Sequence, residues 1–146
     1  MATYTTKLKS SQSSEEAFLY LADLSHFAQW DPGVTKATHV EGTGTGKGAQ
    51  FDVSVKAVGP DLTLRYTITE YEPHRSFTAL AKSVVFTSTD TITIEPAESG
   101  CFVTYSAILR LNGPLALGDM WLRPVFKRIG DRAAHGLRAA LRGTAA

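Results

Sequence analysis

The chain has one cysteine, Cys101, in 146 residues, so no disulfide can form within it and a reducing compartment fits. No apolar run approaches the roughly 20 residues needed to span a bilayer. The opening stretch MATYTTKLKSS lacks the apolar core of a secretory leader. Neither sign of charge prevails: 15 Lys and Arg face 14 Asp and Glu, a formal +1, which argues against a nucleic-acid binder. Internal repeats, linkers and low-complexity tracts are missing too. His26, His39, His74 and His135 are never closely paired and Cys101 has no neighbouring thiol, so the spacing offers no metal site. The same lone cysteine has no evident base beside it, which leaves a nucleophilic triad unsupported. These absences leave a soluble, cytoplasmic protein of one domain, long enough to bury a core.

What is present begins with glycine. In EGTGTGKGAQF, residues 41–51, Gly42, Gly44, Gly46 and Gly48 fall at every second position with Lys47 among them. A triphosphate-binding loop needs four residues between its first glycine and Gly-Lys, then Ser or Thr; here three intervene and Gly48 follows the lysine. A dinucleotide loop needs a helix straight afterwards. Here Phe51, Val53, Val55 and Ala57 alternate with polar residues, which is the period of a half-buried strand. The run therefore reads as a hairpin loop, where glycine supplies positive φ.

Residues 2–9, rich in Thr and Tyr, read as a first strand. In SQSSEEAFLYLADL, Ser13 or Ser14 caps a helix whose first turn carries Glu15 and Glu16. A second short helix covers LSHFAQW and stops at Asp31-Pro32-Gly33. Strands are expected at 34–41, 49–58, 62–72, 75–82, 85–96 and 101–112, joined by short turns, so the natural topology is an antiparallel meander. A closing helix spans 115–142, with Pro124 either opening or kinking it. Its apolar stripe is read as Leu122, Val125, Ile129, Ala133, Gly136 and Ala140, widened by Phe126, Leu137 and Leu141. The same helix carries Arg123, Lys127, Arg128, Arg132, Arg138 and Arg142 against Asp119 and Asp131. That surplus is either a solvated outer face or a surface for an anionic membrane.

The element order, with SSEEAFLYLADLSHFAQWDPGV at 13–34, GKGAQF at 46–51, TITEYEPHRSF at 67–77, DTITIEP at 90–96 and GPLALGDMWLRPVFKRIGDRAAHGLRAALRG at 113–143, resembles the START-like (SRPBCC) superfamily. The closest group is the polyketide cyclase/dehydrase and lipid-binding one. The resemblance runs over nearly the whole chain, 1–146, as a single START-like domain. It implies an α+β helix-grip fold: a curved seven-stranded antiparallel sheet around a long C-terminal helix, with two short helices after strand one. It also implies a cavity between sheet and helix for apolar or amphipathic ligands. Relatives that are plant allergens carry a glycine-rich loop at the place matching EGTGTGKG, in keeping with the hairpin reading.

Strand alternation then selects the residues facing that cavity. Arg110 and Arg65 point outward, which turns Tyr105, Ala107, Leu109 and Leu111, and Leu64, Tyr66 and Ile68, inward. Ile92 and Ile94 carry Asp90, Ser88 and Phe86 with them, and Phe77, Ala79 and Ala81 share a face. The candidate ligand contacts are Trp30, Phe51, Val53, Tyr66, Ala79, Phe86, Asp90, Tyr105, Trp121 and Leu122, mostly aromatic or apolar as in small-molecule pockets generally. Each has a plainer reading as core packing. Asp90 is either the polar anchor of the pocket or a strand-end residue bonded to backbone or water. Aromatase/cyclases of the group use a serine and an arginine on a middle strand to orient a poly-β-ketone. The matching stretch LRYTITEYE lacks that pair, although Tyr66, Asp90 and Tyr105 can supply acid–base chemistry.

Three functions are therefore open: binding or transport of a hydrophobic small molecule, a polyketide cyclase or dehydratase in the same cavity, and peripheral docking to a membrane or partner through the basic helix. No cofactor, metal or nucleic acid is expected, and no catalytic residue is assigned.

Overall fold

Alternation of apolar and polar residues builds one sheet, and the burial of a single helical face closes it. The computed structural model describes residues 2–56, 61–83, 85–113 and 119–145, giving only the backbone for 119–122 and 145. The strands are β1 (Ala2–Ser10), β2 (Val34–His39), β3 (Gln50–Val55), β4 (Leu62–Glu72), β5 (Ser76–Lys82), β6 (Phe86–Ala97), β7 (Gly100–Leu111) and β8 (Gly143–Ala145). All neighbours are antiparallel, in the order β2-β3-β4-β5-β6-β7-β1-β8. The seven expected strands are present. The eighth is a three-residue addition in which the C-terminal tail pairs Gly143–Ala145 with Leu8–Ser10.

Between β1 and β2 lie α1 (Ser14–Ala22), a 3-10 turn (Leu24–His26) and α2 (Phe27–Trp30). Ser13 caps α1 by accepting from the Glu16 amide at 3.1 Å, so of the two serines the sequence offered, the first does it. The glycine run is a β2–β3 hairpin loop as expected: Gly42, Gly44, Gly46 and Gly48 all have positive φ. The Gly48 amide donates to the Ile68 carbonyl at 2.8 Å, which lays the loop on β4.

The long helix α3 runs from Asp119 to Ala140. Pro124 sits inside it rather than at its first position, so one intrahelical hydrogen bond is missing there. The buried face corrects the expected stripe. Gly130, Ala133, Ala134, Leu137 and Leu141 point inward, whereas Val125 and Ile129 are 52% and 38% exposed. Two glycines set this phase. A Cβ on Gly130 would stand 2.4 Å from the Tyr4 ring, and one on Gly136 would meet the Trp30 carbonyl oxygen. Both positions thus allow close approach of β1 and α2 to the helix. The Tyr4 hydroxyl adds a hydrogen bond to Asp131 at 2.8 Å. At the far end the buried Ser10 hydroxyl donates to the Leu141 carbonyl at 2.6 Å, satisfying an acceptor that the helix leaves open.

The concave core is continuous, from Leu8, Phe18 and Leu21 through Phe77, Ile92, Ile94 and Val103 to Leu137 and Leu141. Phe18 meets Phe77 and Tyr71 edge-on, with ring centroids 5.9 and 5.3 Å apart. On the convex side Arg65 points outward, as its strand phase requires, and pairs with Asp52 at 2.9 and 3.0 Å.

Candidate functional site: a polar floor under an arch of rings

Sheet register brings small and polar residues together in the middle of the concave face. In one cross-strand row, Phe51, Tyr66, Ala81, Ser88 and Leu109 are successive partners from β3 to β7. In the next, Ile68, Ala79, Asp90, Ala107 and Tyr4 follow one another from β4 to β1. Asp90 therefore has an alanine directly opposite on each side, and Ser88 has Ala81. Alanine stops at Cβ, so no neighbouring side chain in the row rises over the carboxylate.

The walls are aromatic. Phe27 and Trp30 on α2 stack at 4.7 Å. Phe27 reaches Tyr66 at 6.3 Å, and Trp30 meets Tyr105 edge-on at 5.7 Å. The four rings run Tyr66–Phe27–Trp30–Tyr105 from β4 across to β7. The intervening β5 and β6 supply Ala79, Ala81, Ser88 and Asp90 beneath them.

The polar groups are linked. The Tyr66 and Ser88 hydroxyls are 3.1 Å apart and share a hydrogen bond. Tyr66 also hydrogen-bonds toward Asp90, which favours the charged carboxylate. Burial outweighs that help, and the negative charge of Asp31 adds to burial, so Asp90 is pushed up from the usual carboxylate range to about 7. Tyr66 and Tyr105 are held well above the normal phenol range, first by burial and then by the Asp90 charge. Asp31 closes the α2–β2 turn by accepting from the Gly33 amide at 2.8 Å. Burial raises it, while that amide and Arg132 lower it.

These residues keep a trace of exposure that the core lacks. Ser88, Asp90 and Asp31 retain 9, 8 and 7%, against 0% for Leu8, Phe18 and Val103. The alanines beside them, Ala79 and Ala81, are as closed as the packed end, so the residual exposure belongs to the polar side chains.

Of the sequence-predicted contacts, Trp30, Tyr66, Ala79, Asp90 and Tyr105 are gathered here. Phe51 lies beside Tyr66 in the same row, and Phe86 is half-buried one residue pair beyond Ser88. Val53 is sealed in the core. Trp121 and Leu122 fall among the side chains outside the described residues. Phe27, Asp31 and Ser88 were not among the candidates. Ser88 shares the alternation phase of Asp90, which signals its direction. Asp31 is disguised by Pro32 and Gly33, which read as a helix stop.

Phe51 also borders a separate cleft of about 390 Å³ lined by Leu19, Ala22, Asp23, His39, Ala49 and Tyr71, among others, between α1 and the glycine loop. Among the described residues, no group of three His, Cys, Asp or Glu side chains is placed to hold a metal ion. No described helix is long and apolar enough to cross a membrane.

An antiparallel sheet packed on a long C-terminal helix, with short helices after the first strand, is the helix-grip arrangement that the sequence resemblance implied. The family profile for polyketide cyclase / dehydrase and lipid transport matches residues 1–142, and the chain belongs to that family. No functionally curated protein matches the sequence significantly. Among solved structures the chain is similar to a START superfamily protein of Mycobacterium smegmatis, at 11% identity over 97% of this chain and 98% of that one, with a TM-score of 0.72. A conserved protein of Geobacillus kaustophilus matches at 15% identity over 96% of this chain and 93% of that one, with a TM-score of 0.69. The di-domain ARO/CYC protein StfQ of the steffimycin biosynthetic pathway matches at 15% identity with a TM-score of 0.71. There the match covers 97% of this chain and 50% of StfQ, so this chain spans about half of that protein. Likeness at these identities concerns the fold.

Proposed function

We propose that this protein, acting as a single domain in the cytoplasm, binds and carries a hydrophobic small molecule with one polar group, held between the polar floor and the arch of rings. The observation carrying this reading is Asp90, a buried carboxylate set between alanines in the middle of the concave face. A desolvated carboxylate costs stability, and a protein selected for packing alone would place an apolar residue there. The polar group of a ligand gives it a use. Native mass spectrometry of the purified protein, with titration of an environment-sensitive apolar dye, tests the reading. A retained small molecule or saturable dye binding that Asp90→Leu abolishes is expected. Absence of both overturns it.

A cyclase or dehydratase reading draws on one further observation. Asp90 titrates at about 7 beside the Tyr66 hydroxyl, which suits proton transfer at a carbonyl-activated carbon near neutral pH. Turnover of a model poly-β-ketone, lost in Asp90→Asn, distinguishes it from carriage. The exposed Val125 and Ile129 beside Arg128 on α3 favour a third role, peripheral contact with anionic membrane. Cosedimentation with anionic vesicles that weakens as salt rises is its test.

A further inference from the structure

The floor and the arch differ in chemistry, and together they restrict what a ligand can bring. Two buried carboxylates, Asp31 and Asp90, act on each other electrostatically. Asp31 has a cation within reach, Arg132 on α3, and an amide donor, Gly33. Asp90 has neither. The groups bearing on it from the surrounding elements are the Tyr66 hydroxyl on β4 and the Asp31 carboxylate after α2. Its charge in turn reaches Tyr105 on β7, and Ser88 lies two residues away on its own strand. Among the described residues, no lysine, arginine or histidine bears on Asp90, and buried carboxylates are ordinarily paired with a cation. On the same side of the sheet four aromatic rings contact one another in sequence, Tyr66, Phe27, Trp30 and Tyr105, and the Asp90 charge bears on the first and the last. Ring faces attract cations, most strongly where water is excluded.

We infer that the ligand of this site is a hydrophobic amine, whose ammonium group pairs with Asp90 beneath the four rings while its apolar body lies along Ala79, Ala81 and Ala107. The inference rests on the small-molecule reading above and narrows it to one chemical class. A carboxylate gains most from a donor carrying full positive charge. Alanines at the three neighbouring positions place no side chain longer than a methyl group beside the carboxylate in its rows. A ligand carboxylate or phosphate is excluded by the same argument, because it would add a third negative charge. A ligand carbonyl is the competing partner, since it accepts a hydrogen bond only from protonated Asp90.

An amine pairs only with the ionised carboxylate, whereas a neutral hydroxyl can donate to the carboxylate or accept from the acid, so strong pH dependence is the mark of the amine. n-Hexylamine and n-hexanol have the same chain, and the amine stays charged throughout the range. Their binding to the intact protein is measured by calorimetry from about pH 5.5 to about pH 8.5, a span that brackets the titration of Asp90. The amine is expected to bind at least about tenfold more tightly than the alcohol at the alkaline end. It should weaken by about thirty-fold toward the acid end, as Asp90 takes up its proton. Asp90→Asn should remove both the preference and the pH dependence, and its fold is checked by thermal melting alongside. Equal affinity for amine and alcohol, or amine binding that does not change with pH, overturns the amine inference and leaves small-molecule binding standing. Failure of both compounds and of the apolar dye to bind overturns the two together.

Discussion

The concave face is two surfaces built by the same strands. On β6, Ile92 and Ile94 lie at one end and Ser88 and Asp90 at the other. On β7 Val103 and Tyr105 stand opposite Ile94 and Ile92, and Ala107 and Leu109 opposite Asp90 and Ser88; on β5 Phe77 stands opposite Ile92, and Ala79 and Ala81 opposite Asp90 and Ser88. The first end is filled by α1 and the C-terminal half of α3, through Phe18, Leu21, Leu137 and Leu141. The second carries the mutually packed rings Tyr66, Phe27, Trp30 and Tyr105 instead of aliphatic side chains. The β6 ladders to β5 and β7 run on in register across the boundary, while β4–β5 shifts register there, between Ile68 and Glu70; on β6 the difference lies in side-chain volume and polarity. One end holds the sheet to its helices and the other is free to serve a ligand.

The largest effect expected from breaking this division is at the packed end. Phe77→Ala should lower unfolding free energy by about 3–5 kcal/mol, because the emptied space is ringed by Phe18 and Ile92 and cannot collapse. Urea denaturation measures it, and ligand affinity should change little. Equal loss of affinity and stability would mean the two ends are one unit.

Asp90→Leu comes next and should act in the opposite direction. The folded protein holds the Asp90 proton more tightly than the unfolded chain does, since its value is about 7 against 3.8. Wild-type stability should therefore fall as pH rises from about 4 to about 7 and level off beyond, by up to roughly 4 kcal/mol. The variant should lack that slope, be more stable than wild type at pH above about 7, and lose ligand affinity. Chemical denaturation at a series of pH values gives both curves, and parallel curves would refute the assignment.

Ser88→Ala should cost about 1 kcal/mol, the worth of one buried hydroxyl pair with Tyr66. The smallest stability change is expected for Ala107→Val. Added methyl groups in a packed core usually cost 1–3 kcal/mol, and on the proposal that the face beside Asp90 accepts a ligand the loss should stay below about 1 kcal/mol. Its main effect should be weaker ligand binding, read by the same dye titration. A large stability loss with unchanged affinity would show that this end is filled after all.

Much of this division was legible in the sequence. Alternation alone placed Tyr66, Asp90, Tyr105, Ala79 and Ala81 on one face and sent Arg65 to the other, because side-chain direction in a strand has a fixed period. What alternation does not carry is register. That Asp90 stands between Ala79 and Ala107, and that Tyr66 reaches Ser88 across β5, follow from pairings that depend on turn geometry. The phase of α3 was misread for a related reason. The expected stripe held at Ala133, Leu137 and Leu141 and included Gly136, but it followed the bulkier Val125 and Ile129 over Gly130, where a Cβ would meet the Tyr4 ring. Asp31 and Phe27 lie on a short connection whose position depends on the helix it packs against.

The place of β1 has a consequence for how the chain folds. β1 pairs along its whole length with β7, Ala2 opposite Leu109 and Ser10 opposite Cys101, and the Ser10 hydroxyl waits for the Leu141 carbonyl, 131 residues away. During synthesis the first strand must stay unpaired until the last strand of the meander has left the ribosome. The packed end, which needs β1, α1 and the tail of α3 together, closes last. Loop closure over such separations is slow, so β1, Leu8 included, stays unpaired until β7 and the tail of α3 are available.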